Sequence, residues 1–202
     1  MINIINVSKR FEDKILFSNL NLTIEDGEFV IFSGPSGCGK TTLLNMIGAI
    51  EKLDNGQILV DNIDISKRKN QLPYFKSKVG FLFQNFALVD NKTVKQNLEL
   101  VQKDSKTDIT IQEALETVGL LDKLGKKVYT LSGGEQQRVA LARLMLKKSK
   151  IILADEPTGS LDRKNSEMVM NILKNMNQQG KTVILVTHDD EIKKQGKRVI
   201  NL

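Results

Sequence analysis

Eight consecutive residues, Gly34-Pro35-Ser36-Gly37-Cys38-Gly39-Lys40-Thr41, fit the spacing G-x-x-x-x-G-K-[ST] of a phosphate-binding loop. The chemistry follows from the residue types. Glycines let backbone N–H groups turn inward and approach a polyphosphate with no Cβ in the way. A helix beginning near Gly39 aims its positive dipole end and unpaired N–H groups at the same anion. Lys40 adds a full charge for the terminal phosphates, and the Thr41 hydroxyl can ligate Mg²⁺. Ser36, Gly37, Cys38, Gly39, Lys40, Thr41 and Thr42 are the candidate nucleotide contacts, with Cys38 read as a small residue that fits a free position. A glycine-rich turn that matches by accident is the competing reading.

Two further stretches carry chemistry. Ile151-Ile152-Leu153-Ala154 runs into Asp155-Glu156, four apolar residues closed by two acids. About 115 residues after a phosphate loop, this reads as a Walker B strand. Its Asp holds Mg²⁺, and Glu156 can act as general base on a water in line with the terminal phosphate. Leu131-Ser132-Gly133-Gly134-Glu135-Gln136-Gln137-Arg138 places Ser132 three residues before Glu135, a capping box. Glycines at that helix start permit a second anion site, although an ordinary capped helix has the same pattern.

These residues need a scaffold that brings them together. Glu28–Ser33 is apolar enough for a buried strand feeding the loop, and Thr42–Ile47 continues as a helix. Ile2–Val7 and Leu20–Ile24 alternate as half-buried strands, and Gln57–Val60 follows the Asp54-Asn55-Gly56 turn. Val79–Phe83, Ile151–Asp155 and Thr182–Thr187 are continuous apolar runs, as strands covered on both faces are. Val199–Leu202 reads as a last short strand and Arg163–Gln178 as a helix closed by Gly180. Between Thr93 and Lys150 the period is helical, with Ile111, Leu115 and Val118 on one face and Gly119 as the stop. The expected fold is α/β: a P-loop NTPase with a RecA-like parallel core, an N-terminal antiparallel β subdomain and an inserted helical subdomain. Residues 1–84 and 151–202 form the nucleotide-binding core of a single 1–202 domain, and 85–150 the helical subdomain.

Composition bounds the rest. With 202 residues, 40% apolar and 27% charged, the chain supports one globular domain with a sizeable core. A single cysteine excludes an internal disulfide and suits a reducing compartment. No apolar run reaches the 18 or so residues of a membrane span, and Met1-Ile2-Asn3-Ile4 begins no signal peptide, so a cytosolic chain is expected. The net charge of +6 comes from scattered clusters such as Lys67-Arg68-Lys69 and Lys147-Lys148. None is interleaved with aromatics, so solvated faces are expected and no nucleic acid.

In the order loop, L-S-G-G-E-Q-Q-R, Walker B, the chain resembles the ATP-binding-cassette (ABC) ATPases over nearly its whole length. By that resemblance Phe11 corresponds to the aromatic that stacks on adenine, and Gln84 to the glutamine linking the metal site to the transport partner. Ser160-Leu161-Asp162 corresponds to the loop crossing the dimer interface, and His188 to the histidine near the terminal phosphate. Taken alone, Phe11 reads equally as a core aromatic, Gln84 as a polar residue at a strand end and His188 as a structural histidine. The resemblance implies catalysis by Glu156, His188, Lys40 and Gln84, and Mg²⁺ held by Thr41, Gln84 and Asp155. It implies a homodimer with ATP sandwiched between subunits, Ser132, Gly134 and Gln136 of one subunit covering the nucleotide of the other.

Ala154–Asp162 and Phe83–Leu88 are similar to the lipoprotein-release and macrolide or peptide export branch, though that branch usually has Asn where Ser160 stands. A separate transmembrane permease, export of a peptide, bacteriocin or lipoprotein-type substrate, and a cytoplasmic location on the inner face of the membrane are the implied setting. A regulatory ATPase whose membrane partner relays a signal has the same chemistry. Phe86–Val89 is a candidate docking groove for a permease helix, or else fills the subdomain's own core.

Overall fold

The computed structural model describes residues 1–159 and 161–202. Apolar alternation builds the first sheet from β1 (Ile2–Phe11), β2 (Lys14–Ile24), β4 (Asn55–Val60) and β5 (Ile63–Asp64), antiparallel in the order β2-β1-β4-β5. β1 and β2 are longer than their alternation suggests. The register shifts between Ile4 and Val7, where Asn6 (φ 50°) lies on β1, and Asn19 (φ 53°) lies on β2 beside Leu20, the partner of Val7. Such irregularities break the apolar period while pairing continues beyond them.

The second sheet is parallel and buried. β3 (Phe29–Ser33), β6 (Val79–Leu82), β7 (Ile151–Asp155), β8 (Thr182–Val186) and β9 (Arg198–Asn201) lie in the order β6-β7-β8-β3-β9. Every residue of β3, β7 and β8 is buried, which is why they read as unbroken apolar runs. Alternate side chains enter two separate cores. Ile31, Ile152 and Leu185 join the cluster shared with α5 and α6, while Val30, Leu153 and Ile184 join the cluster beneath α1 and the antiparallel sheet.

The helices are α1 (Lys40–Ile47), α2 (Arg68–Ser77), α3 (Val94–Leu98), α4 (Ile111–Thr117), α5 (Gly133–Met145), α6 (Arg163–Gln178) and α7 (Asp190–Lys193). Capping boxes start three of those between β6 and β7: Thr93 with Gln96, Thr110 with Glu113 and Ser132 with Glu135. Sequence reasoning missed α2. It contains Pro73 and buries only Tyr74, whose hydroxyl donates to the Ile47 carbonyl at 2.9 Å. The Lys147-Lys148 pair is also not wholly a solvated face: the Lys147 ammonium turns inward to donate to the carbonyls of Phe75 and Val79, and burial lowers its pKa.

Candidate nucleotide site

Parallel strands share one carboxyl edge, and ligands of such sheets bind there. β3 runs into Gly34, β6 stops two residues before Gln84, β7 ends in Asp155 followed by Glu156, and β8 leads into Thr187 and His188. Four strands thus deliver four motifs to one rim.

The loop after β3 demands glycine. Gly34 has φ +143°, and a Cβ there would lie 2.7 Å from the Leu202 carbonyl oxygen and 2.8 Å from Cys38 Sγ. At Gly39, φ is +103° and a Cβ would strike the Phe17 ring at 2.7 Å. Gly39 is also the N-cap of α1 and offers no side-chain cap, so the first N–H groups of α1 stay directed at the loop. Lys40 Nζ donates to the carbonyls of Gly34 (2.9 Å) and Pro35 (2.8 Å) and approaches Cys38 Sγ at 3.7 Å. Ser36 and Gly37 stand exposed on the crest, and Thr42 lies half-buried in the first turn of α1.

Across the rim, Thr41 Oγ1 donates to Asp155 Oδ1 at 3.0 Å. Burial pushes the Asp155 carboxyl above its ordinary range and neighbouring Glu156 adds to the rise; the Thr41 hydrogen bond and Lys40 oppose it. Glu156 adopts φ +46°, a strained conformation for a non-glycine residue, with its N–H bonded to the Val186 carbonyl at 3.0 Å. Its Oε1 lies 2.9 Å from His188 Nδ1. Lys40, Thr41, Asp155, Glu156 and His188 are therefore brought together. Among the described residues no cluster of three His, Cys, Asp or Glu could hold a metal. Two hard oxygen donors, Thr41 and Asp155, nevertheless fit Mg²⁺, which keeps waters and substrate phosphates as its remaining ligands.

Other candidates stand apart. Phe11 ends β1 and is 46% exposed, its ring 4.6 Å from the Lys9 ammonium, which Glu51 anchors at 2.6 Å. Lys14, its partner in the register, ties that hairpin to the loop by donating to the Gly37 carbonyl at 2.8 Å. No spacing rule could have singled out Lys14. Gln84 is exposed, with no hydrogen bond among the described residues. Ser132 Oγ accepts from Glu135 N–H at 3.2 Å, and Gln136 Nε2 donates to the Leu131 carbonyl at 3.1 Å. Those bonds, like the half-buried Gly134 at the helix start, stay within the α5 end, and none reaches the Lys40 loop.

Ser160 lies outside the described residues, while Asp162 caps α6 by accepting from Asn165 N–H at 2.8 Å. Two residues that sequence reasoning left unassigned bond on either side of this loop: buried Gln137 donates to the Pro157 carbonyl before it, and Arg138 to Asn165 Oδ1 in α6 after it at 2.7 Å. Of Phe86–Val89, Phe86 and Leu88 pack against the α5 core, so they fill the core more than they line a surface. A separate groove of about 350 Å³ opens between α2, β6 and α5, lined by Leu72, Phe75, Phe81, Leu100 and Leu144 with Lys147 in its wall.

The family profile described as ABC transporter matches residues 17–159. The chain is 40% identical to the uncharacterized ABC transporter ATP-binding protein YvrO of Bacillus subtilis, over 99% of this chain and 92% of that one. It is 41% identical to the macrolide export ATP-binding/permease protein MacB of Campylobacter jejuni, covering all of this chain and 33% of MacB. Its structure is similar to the cassette MJ0796 of Methanocaldococcus jannaschii, seen as a dimer in a post-hydrolysis state with ADP and Pi: TM-score 0.88, 37% identity, covering 100% of this chain and 94% of that one. The parallel sheet with its loop, the antiparallel sheet and the helical insert are that fold. The chain belongs to the ABC transporter family, as one of its ATP-binding ATPase cassettes.

Proposed function

We propose that this cassette works as a homodimer that powers a separate transmembrane permease, exporting a peptide, bacteriocin or lipoprotein-type substrate from the cytoplasmic face of the membrane. The observation that carries the ATPase chemistry is the 2.9 Å pairing of Glu156 with His188 beside the Thr41–Asp155 bond. In this reading Glu156 takes the proton of the attacking water, and His188 orients the carboxylate while facing the terminal phosphate. Lys40 exchanges its loop carbonyls for phosphate oxygens, and Phe11 stacks on adenine with Lys9 beneath it. Thr41, Asp155 and Gln84 would hold Mg²⁺, which when bound would supply charge neutralisation at the phosphates.

Ser132, Gly134 and Gln136 cap the nucleotide of the second subunit, supported by their lack of any bond to their own loop and by the dimeric state of MJ0796. Export rests on the resemblance to MacB, in which ATP-binding and permease parts share one name. We place the permease's cytoplasmic helix in the apolar groove beside Phe81, in preference to the Phe86–Val89 stretch.

Tagged Glu156→Gln protein tests the reading. It should bind nucleotide, lose turnover by about 10²- to 10⁴-fold and accumulate as an ATP-bound dimer. Purified with ATP from gently solubilised cells, it should bring a multi-spanning permease. A monomer at saturating ATP and Mg²⁺ would sink the sandwich, soluble partners alone would sink the transporter, and a permease that drives no solute movement would favour signalling. Leu72→Asp, at an exposed position of the groove, should lose the permease while keeping basal ATPase.

A further inference from the structure

Arg143, near the end of α5, is half-buried, and no carboxylate pairs with it among the described residues. Instead its fork grips backbone. Nη1 donates to the Ala87 carbonyl at 2.6 Å and Nη2 to the Phe86 carbonyl at 2.9 Å. Both acceptor residues have left-handed backbone, φ 62° at Phe86 and 47° at Ala87, and neither is glycine. Two such residues in succession persist only where the surroundings enforce them. A planar fork matched to two successive carbonyls is such an enforcement, and a lysine ammonium is not.

The same turn also lies near the opposite end of α5, with Phe86 packed against the cluster that includes Leu131 and Val139. A Cβ on Gly133, the residue after Ser132, would stand 4.0 Å from Phe86 Cζ. The turn lies directly after Gln84-Asn85, and Phe86 N–H bonds back to the Phe83 carbonyl at 3.0 Å. One short segment is thus gripped by the last turns of α5 and lies close to its first turn, the end that carries Ser132 and Gly134. Arg143 also lines the groove beside Phe81 and Lys147.

From this geometry we infer that Arg143 is a positioning residue: through the Phe86–Ala87 turn it fixes where Gln84 stands and locks Gln84 to the Ser132–Gly134 end of α5. The inference deepens the proposed role of Gln84 at the nucleotide's metal and rests on it. An occupant of the groove would then reach the active site by touching the fork, with no contact to Gln84 itself.

The test is steady-state ATPase of the full chain carrying Arg143→Lys, Gln84→Ala or both, with melting temperature measured alongside. Arg143→Lys should lower kcat about ten-fold, as small misplacements of positioned groups do. The ATP KM should stay within about two-fold, because Phe11 and the Lys40 loop are untouched. Added to Gln84→Ala it should cost nothing more. Ala87→Gly, which accepts a left-handed φ without strain, should restore part of the kcat lost in Arg143→Lys. Unchanged kcat with a lowered melting temperature would reduce Arg143 to a brace, and losses that multiply in the double variant would show that it acts elsewhere. Wild-type kcat in Gln84→Ala would overturn the metal-site reading first and the inference with it. Arg143→Gln, which keeps a donor for one of the two carbonyls, replaces the lysine variant if that does not fold.

Discussion

The carboxyl rim of the parallel sheet and the Ser132 end of α5 are both anion-binding designs, yet they are finished differently. At the rim, hydrogen bonds cross between segments far apart in sequence: Thr41 to Asp155, Glu156 N–H to Val186, and Glu156 to His188. At the α5 end every described bond of Ser132 and Gln136 is local, within five residues. A helix start with glycines at its first two positions and a self-contained cap is presented outward. The rim gathers cation, hydroxyl and carboxylates from distant segments, whereas among the described residues the Ser132 and Gln136 side chains bond only within their own helix end. The contrast fits the proposed sandwich, in which a second copy supplies the nucleotide that the helix start would cover.

The largest expected effect breaks this contrast directly. Lys40→Ala removes the rim's cation, and Gly134→Asp places a carboxylate where the proposed sandwich puts the partner's phosphate. Each variant alone should lose about 10²-fold or more of turnover, the scale of removing one preorganised charge-stabilising group. Lys40→Ala should also weaken nucleotide binding, whereas Gly134→Asp should leave the monomer's nucleotide affinity unchanged, as measured by calorimetry. Mixed together the two dead proteins should recover part of the activity, since each mixed dimer contains one intact pairing of loop and helix end. No recovery would mean that each subunit completes its own site.

A smaller effect separates core from surface next to Gln84. Leu88 packs against the α5 cluster, so Leu88→Asp should destabilise the fold, lowering the melting temperature by roughly 4–10 °C, because it buries an unpaired charge. Leu72→Asp, at an exposed position, should shift it little. Equal shifts would erase the distinction drawn between the groove and the packed turn.

What could be read from sequence follows the same division. Walker B, the loop and the capping box at Ser132 are contiguous patterns whose chemistry is local, so residue type and spacing were enough to find them. The continuous apolar runs of β3, β7 and β8 told of strands covered on both faces, and the structure buries them so. Lys14 on the Gly37 carbonyl, Arg143 on the Phe86–Ala87 turn and Lys147 on the Phe75 carbonyl were illegible. Each is a cation whose partner is a backbone oxygen 23 to 72 positions away, and a carbonyl leaves no mark on sequence. α2 escaped for another reason: a proline inside it and a single buried residue give almost no helical period to detect.

The smallest predicted effect concerns what the rim costs the fold. Asp155 is buried, and burial raises its carboxyl pKa above the unfolded value despite the Thr41 hydrogen bond and Lys40. For an acid shifted upward, the protonated form is favoured in the folded chain. Stability is therefore fully present below the unfolded pKa and is lost as pH rises through the folded one. Asp155→Asn removes that titration while keeping an acceptor for Thr41 Oγ1, so at neutral pH the nucleotide-free variant should melt a few degrees higher than wild type. The gain should shrink as pH falls into the carboxylate range, because the native Asp155 is then neutral as well. Turnover should nevertheless be lost, since the amide is a poorer oxygen donor for Mg²⁺. A variant no more stable than wild type at neutral pH, or a gain that does not shrink in acid, would mean that the rim keeps its buried carboxylate without strain and resembles the self-satisfied α5 end after all.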